Sequence, residues 1–242
     1  MDWQLMLDSL PRFLQGAGLS LELSLAALLL GAALALPLAL ARTAAHPLLR
    51  WPAYLYIFCF RGTPLLVQLY LIYYGAGQFA AVRDSLLWPL LRQPFDCAII
   101  AFALNTAAYQ AEILRGGTEG VAAGEIEAAR AFGMSRALQL RRIILPQAFR
   151  LALPAYGNEI ILTVKSSSLA STITLLDITG VARTIVSESF AVYEAFLEAG
   201  LIYLLLNFAV TRLVALAERR LMRHVRPPAG LAEIPVAGSP IL

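Results

Sequence analysis

The 242 residues are 59% hydrophobic and only 14% charged, with a formal net charge of +3. A soluble domain carries about 25% charged residues. Here the apolar excess falls in long uninterrupted blocks, which argues against an ordinary globular enzyme and for an all-α polytopic membrane protein.

Residues 1–18 are mixed, with Asp2, Asp8 and Arg12. LSLELSLAALLLGAALALPLALA, residues 19–41, is long enough to cross a hydrocarbon core about 30 Å thick. It exceeds a signal-peptide core and follows a slightly acidic segment, so it reads as an uncleaved first span, kinked near Pro37. A short basic turn region over 42–52 leads to a second span over 53–75, interrupted by Arg61-Gly62-Thr63-Pro64. Proline removes a backbone donor, and the freed carbonyl must find a partner inside protein. Two readings stand for this interruption: a tolerated kink with Arg61 snorkelling to an interface, or a break that faces a pathway.

Residues 76–96, with Pro89 and Pro94, read as an extramembrane connection. The third span, 97–114, carries Asn105, Thr106, Tyr109 and Glu112, and Asn105, Tyr109 and Glu112 share one helical face. Such a stripe belongs against other helices or water rather than lipid. A polar loop over 115–150 follows, then a fourth span, 152–176, with Asn158, Glu159, Lys165 and three consecutive serines. A mixed connection over 177–195, a fifth span over 196–216 and a basic, then proline-rich, tail over 218–242 complete the chain.

Arginine placement sets the orientation. The segments 42–53, 115–150 and 212–242 hold two, six and five arginines, against one, two and one in 1–18, 76–96 and 171–195. The positive-inside rule places the N-terminus in the periplasm and the loop and C-terminus in the cytoplasm. The basic loop is then a topology signal and no nucleic-acid site. No inverted repeat of the kind found in many secondary transporters is visible.

Several chemistries are missing. Val164 stands where a phosphate-binding loop ending at Lys165 needs glycine, so the chain has no nucleotide-hydrolysing motif. No HExxH or GxSxG occurs, and neither histidine, His46 or His224, lies in a span. Cys59 and Cys97 lack CxxC spacing. The sequence thus offers no catalytic group, no metal site and no cofactor site.

The loop segment GEIEAARAFGMSRALQLRRIILP, residues 124–146, has features of its own. Glu125 and Glu127 suit the first turn of a helix starting near Gly124, and Arg130 suits its end. Ala128, Ala129 and Ala131 favour helix and permit close approach by another surface. Gly133 fits a helix end that needs positive φ, Ser135 can cap a second helix, and Pro146 is expected to end or bend that one. On these grounds alone the segment reads equally as a helical hairpin on a membrane surface.

Glu127-Ala128-Ala129, three residues, Gly133, nine residues, Ile143, one residue and Leu145-Pro146 resembles the EAA loop of bacterial ABC importer permeases at every fixed position. RGTPLLVQLYLIYYG, LNTAAYQAEILRGG and ALPAYGNEIIL are similar to the polar amino-acid branch of that family, and the resemblance spans roughly residues 15 to 226. GEIEAAR and the tail HVRP look most like the M-type permeases of histidine, lysine/arginine/ornithine and octopine-type systems. Many relatives have glutamine where this chain has Glu125, which counts against a glutamine-type system.

The resemblance implies an ABC type I importer permease fold with about five transmembrane helices in the inner membrane. It implies ATP-binding cassette ATPase subunits, a second permease that is a different homologous chain, and a periplasmic solute-binding protein. ATP would be used by the ATPase partner. Glu127, Ala128, Ala129, Arg130 and Gly133 would couple to that ATPase. Arg61, Tyr109, Glu112, Asn158, Glu159 and Lys165 would line the route of a polar, basic amino acid or opine, or pair with one another inside the bundle. A self-contained secondary transporter or channel is the competing class, and it has no use for an EAA pattern.

Overall fold

The computed structural model describes residues 2–221, which fold entirely as helices and turns; residues 222–242, most of the expected tail, lie outside the described residues. Helix α1, Trp3–Arg42, opens the chain and is capped by Asp2, whose side chain accepts from the backbone N–H of Gln4 and Leu5. From Trp3 on, the segment expected over 1–18 is therefore about the first four turns of a single long helix. It stays helical because Ser9, Phe13, Gly16 and Ala17 are buried on the chain's later helices. The helix runs through Pro11 and Pro37 without ending.

Helix α2, Pro47–Gly62, stops at Thr63-Pro64, and α3, Leu65–Tyr70, restarts the segment. A π turn, Leu71–Gly75, and a 3-10 turn, Ala76–Gln78, follow. The two halves meet at 104°, so the interruption is a sharp break rather than a mild kink. Pro64 lacks an N–H and forces extended backbone on Thr63, at φ −117° and ψ 145°. Two short helices, α4, Ala80–Arg83, and α5, Trp88–Leu91, cross the connection to α6, Pro94–Glu119.

After α6 come α7, Ala123–Ala131, α8, Arg136–Gln139, and a π turn, Leu140–Ile144. Pro146 does not terminate a helix: it sits in the first turn of α9, Leu145–Ser166, where its missing N–H leaves little unsatisfied. Helix α9 tightens to 3-10 over Ser167–Ile173. The hydroxyls of Ser167, Ser168, Ser171 and Thr172 each donate to a carbonyl three residues back, at 2.6–2.9 Å, which suits the tighter winding. The connection expected over 177–195 is largely helical: Asp177 caps α10, Ile178–Ser189, and α11, Val192–Leu221, ends the described chain.

Helices α1, α6 and α11 are each long and apolar enough to cross a membrane, and counting the two bent helix pairs as one span each raises the number to five. The α1–α6 pair forms the spine. Its crossings use small residues, with Ala35, Ala39, Ala108 and Ala111 buried together, so the backbones approach closely. At Gly31 a Cβ would lie 2.5 Å from Thr106 Cγ2. A second core of Leu23, Leu69, Phe102 and Ile173 packs the far side of the α2–α3 break. Leucines such as Leu25, Leu29 and Leu30 are exposed on α1, the apolar exterior expected of a bundle set in lipid or against another subunit.

Candidate functional site

The break between α2 and α3 releases backbone groups in an apolar setting, where each unsatisfied one costs several kcal/mol. Two amides answer it. Gln68 Nε2 donates to Phe60 O at 2.8 Å and to Thr63 Oγ1 at 2.7 Å. Asn105 Nδ2, from α6, donates to Phe60 O at 3.2 Å and to Gln68 Oε1 at 3.0 Å. The break is thereby tied to α6, and Arg61, on the last turn of α2, is held out at its edge.

A cavity of about 430 Å³ opens beside the break, lined by Arg61, Pro64, Asn105, Tyr109, Glu159 and Ser166 among others. The Arg61 guanidinium lies over the Tyr109 ring, 5.2 Å from its centroid. Glu159 enters from α9 and is 7% exposed. Thr106 donates to Glu159 Oε1 at 2.7 Å, Gln110 Nε2 donates to Thr106 Oγ1 at 3.1 Å, and Tyr156 donates to Gln110 Oε1 at 3.0 Å. Among the described residues no ion pair within 4 Å neutralises Glu159, and the positive charge that acts on it is that of Arg61, across the same cavity. Its position against the cavity wall leaves it able to meet a positive charge there.

Glu112 has the opposite environment. Arg115 Nε donates to it at 2.8 Å, while Arg42 and Arg61 stand at 3.7 and 4.0 Å. This carboxylate joins α1, α2 and α6 at the end of the bundle that carries the α1–α2 turn. Glu112, Glu159 and Lys165 do not pair with one another: Lys165 and Asn158 are both exposed on α9, away from the cavity lining. Gln68, Thr106 and Gln110 stand behind the lining, bonded to Asn105, to Glu159 and to Thr106 respectively, and Arg42 approaches Glu112; none of the four was marked as a site residue by the sequence. Gln68 stands four residues past Pro64, one helical turn, and that spacing is the available signal.

At the opposite end of α6 from the break's outer half, α7 stands out from the bundle. It closes with paired bonds, Met134 N to Ala129 O at 3.1 Å and Gly133 N to Arg130 O at 2.9 Å, with Gly133 at φ 73°. Glu127, Ala128, Arg130 and Gly133 are exposed, whereas Ala129 is 3% exposed and packs inward. Ala129 is therefore separated from the other four by the helix itself. Phe132, beside Gly133, is 88% exposed and was not singled out from sequence. Glu125 is tied to Gln147 by a hydrogen bond, which joins α7 to the start of α9.

Helices long enough to span a membrane, a broken span beside a polar cavity and a helix displayed on a loop make an arrangement that fits a membrane transport subunit. The chain belongs to the family of binding-protein-dependent transport system inner membrane components, whose model matches residues 19–223. It is 55% identical over 223 residues to the octopine transport system permease protein OccM of Rhizobium meliloti, with 91% of each chain covered. It is 42% identical over 222 residues to the arginine ABC transporter permease protein ArtM of Escherichia coli, covering 91% of this chain and 99% of that one. The crystal structure of an amino acid ABC transporter with histidines superposes with a TM-score of 0.83 at 35% identity, covering 91% of this chain and 99% of that chain. The protein is thus an inner-membrane permease subunit of an ATP-driven ABC importer, a transport component rather than an enzyme. Membership implies ATPase and binding-protein partners and removes the self-contained secondary transporter as a reading.

Proposed function

We propose that this chain is the M-type permease of an importer for polar, basic amino acids or opines, paired with a different, homologous permease. The observation that carries the reading is Glu159, buried at the wall of the cavity beside the α2–α3 break with no cation within ion-pair distance, Arg61 acting on it only from across the cavity. A carboxylate in such a place is costly unless a positive group visits it. The 55% and 42% identities to permeases named for octopine and arginine transport agree with that chemistry. Arg61 and Tyr109 share the cavity and would meet the rest of the substrate, while Asn158 and Lys165, exposed on α9, would face the second permease.

In this reading the five spans run with the N-terminus in the periplasm, so that α7, the α1–α2 turn and the tail over 218–242 are cytoplasmic. Glu127, Ala128, Arg130 and Gly133 contact the ATPase, and Ala129 holds the helix on its loop. ATP is consumed by that partner, and the permease needs no cofactor. Closing of the ATP-loaded ATPase pulls on α7, and a difference in contact energy between two states moves the spans.

The test is uptake by vesicles holding the complete system, with arginine, lysine, histidine, ornithine, octopine and glutamine in competition. Strong competition by the basic compounds and weak competition by glutamine is expected. Glutamine as the best competitor overturns the substrate reading, and uptake without ATP overturns the coupling.

A further inference from the structure

The cavity beside the break does not end at Arg61. A second cavity, of about 350 Å³, shares Arg61, Gly62 and Tyr109 with it and adds Arg42, Tyr54 and Glu112. A third, of about 190 Å³, shares Arg42 and Tyr54 with the second and adds Arg50 and Trp51. Neighbouring cavities thus share lining side chains, and the row runs from the α2–α3 break along α2 towards the α1–α2 turn. Its arginines come in order: Arg61, Arg42, Arg50.

Two of these guanidinium groups lie on tyrosine rings, Arg61 on Tyr109 at 5.2 Å and Arg42 on Tyr54 at 4.9 Å. Stacking holds the plane and leaves the N–H edges free for two-point bonding to a carboxylate. The nearby acid does not occupy them. Glu112 is bonded to Arg115 at 2.8 Å. Arg42 Nε and Glu112 Oε1 face each other at 3.7 Å, and neither buried atom makes a hydrogen bond. Arg61 stands at 4.0 Å, the limit of an ion pair. The row therefore presents loosely held positive donors at successive positions. Passage through a pore requires sites that are attractive yet weak and repeated.

We propose that this row of cavities is a carboxylate-conducting exit, in which Arg61, Arg42 and Arg50 receive the substrate's carboxylate in turn, with Glu112 preventing Arg61 or Arg42 from holding it. The inference rests on the amino-acid substrate and the orientation argued above. A positive lining repels a cationic side chain, so Glu159 and the arginine row act on opposite ends of the same substrate. The exit thus selects for a carboxylate after the binding protein has released its cargo.

The experiment uses the complete complex in vesicles with labelled L-arginine, and the detergent-purified permease–ATPase complex without binding protein for equilibrium binding. Arg50→Gln and Arg42→Gln are each expected to lower uptake turnover about ten-fold, the effect of one lost charge-assisted bond. The concentration of loaded binding protein at half-maximal rate stays the same. Arg42→Lys recovers most of the turnover, and Arg92→Gln, outside the row, changes nothing. In the purified complex, agmatine, which lacks the carboxylate, displaces L-arginine poorly from the unaltered protein and more evenly from the glutamine variants. Arg50 is exposed, so its substitution decides the matter even where Arg42→Gln fails to assemble. Unaltered turnover in Arg50→Gln overturns the proposal. So does a loss that the unaltered protein reproduces in vesicles lacking anionic phospholipid, which would assign the row to a lipid headgroup. Absence of any amino-acid uptake by the unaltered complex refutes instead the function proposed above.

Discussion

Thr106 donates a 2.7 Å hydrogen bond to Glu159 Oε1, joining α6 to α9 at the wall of the cavity beside the broken span. The same threonine packs its methyl against Gly31 of α1. One side chain therefore bears on both the α1–α6 crossing and the position of the buried acid. We predict that Glu159→Gln, which can still accept from Thr106, leaves assembly with the ATPase intact and lowers uptake of basic amino acids about ten-fold, the scale of a lost charged hydrogen bond. Co-purification and labelled uptake measured together check this, and equal loss of both would make Glu159 a structural residue.

Gly31 and Gly18 lie on the same helix and should respond oppositely to alanine. A Cβ at Gly31 would press on Thr106, while at Gly18 nothing lies within 4 Å. We predict that Gly31→Ala destabilises the permease by about 1–3 kcal/mol, the range for overpacking a tight site, and also slows uptake by displacing Thr106 from Glu159. Gly18→Ala should be close to neutral. Thermal unfolding of the two purified variants decides it; similar midpoints would mean that α1 shifts without cost.

At Gly133 strain and partner contact can be separated. Its φ is 73°, and a side chain built there meets nothing within 4 Å in the isolated chain. Alanine carries only the left-handed backbone cost, about 1–2 kcal/mol. Tryptophan carries a similar cost plus bulk that collides only with a docked ATPase. We predict that Gly133→Trp inserts normally but abolishes ATP-driven uptake, whereas Gly133→Ala retains a substantial part. Uptake by Gly133→Trp at the level of Gly133→Ala would remove the close approach from the mechanism.

Phe132 is 88% exposed at the end of α7. An aromatic side chain so placed, beside exposed Arg130 and Gly133, fits the pattern of an anchor that fills a partner's pocket, a contact worth about 2 kcal/mol or more. We predict that Phe132→Ala weakens capture of the ATPase about thirty-fold without changing the thermal stability of the permease alone. A titration of ATPase binding checks it, and unchanged affinity would make Phe132 a membrane-surface residue.

The apolar blocks, an interruption in the second span, open between kink and break, and the loop with its glycine were legible in the sequence because each has a local cause; the 104° bend came from the structure. Apolar block length sets a span, Gly133 marks a positive φ, and Pro64 marks an interruption, although α1 running through Pro11 and Pro37 shows that proline alone does not make a break. Hydropathy did not reveal that residues 3–18 continue α1 or that 178–189 are helical, since both segments are mixed in composition. They are helical because Phe13 and Ala17 bury against Ile178, Val181 and Ile185, a contact between segments more than 150 residues apart. Likewise the sequence by itself marked Glu112, Glu159 and Lys165 as charges out of place in apolar runs. Only the tertiary structure decided their separate fates: Glu112 among three arginines, Glu159 at a cavity wall with Arg61 across from it, Lys165 exposed on α9. Local composition determines what a residue costs in a membrane. The crossing of α1, α2, α6 and α9 determines which groups stand within a few ångströms of it, and at that range charge and hydrogen bonding take effect.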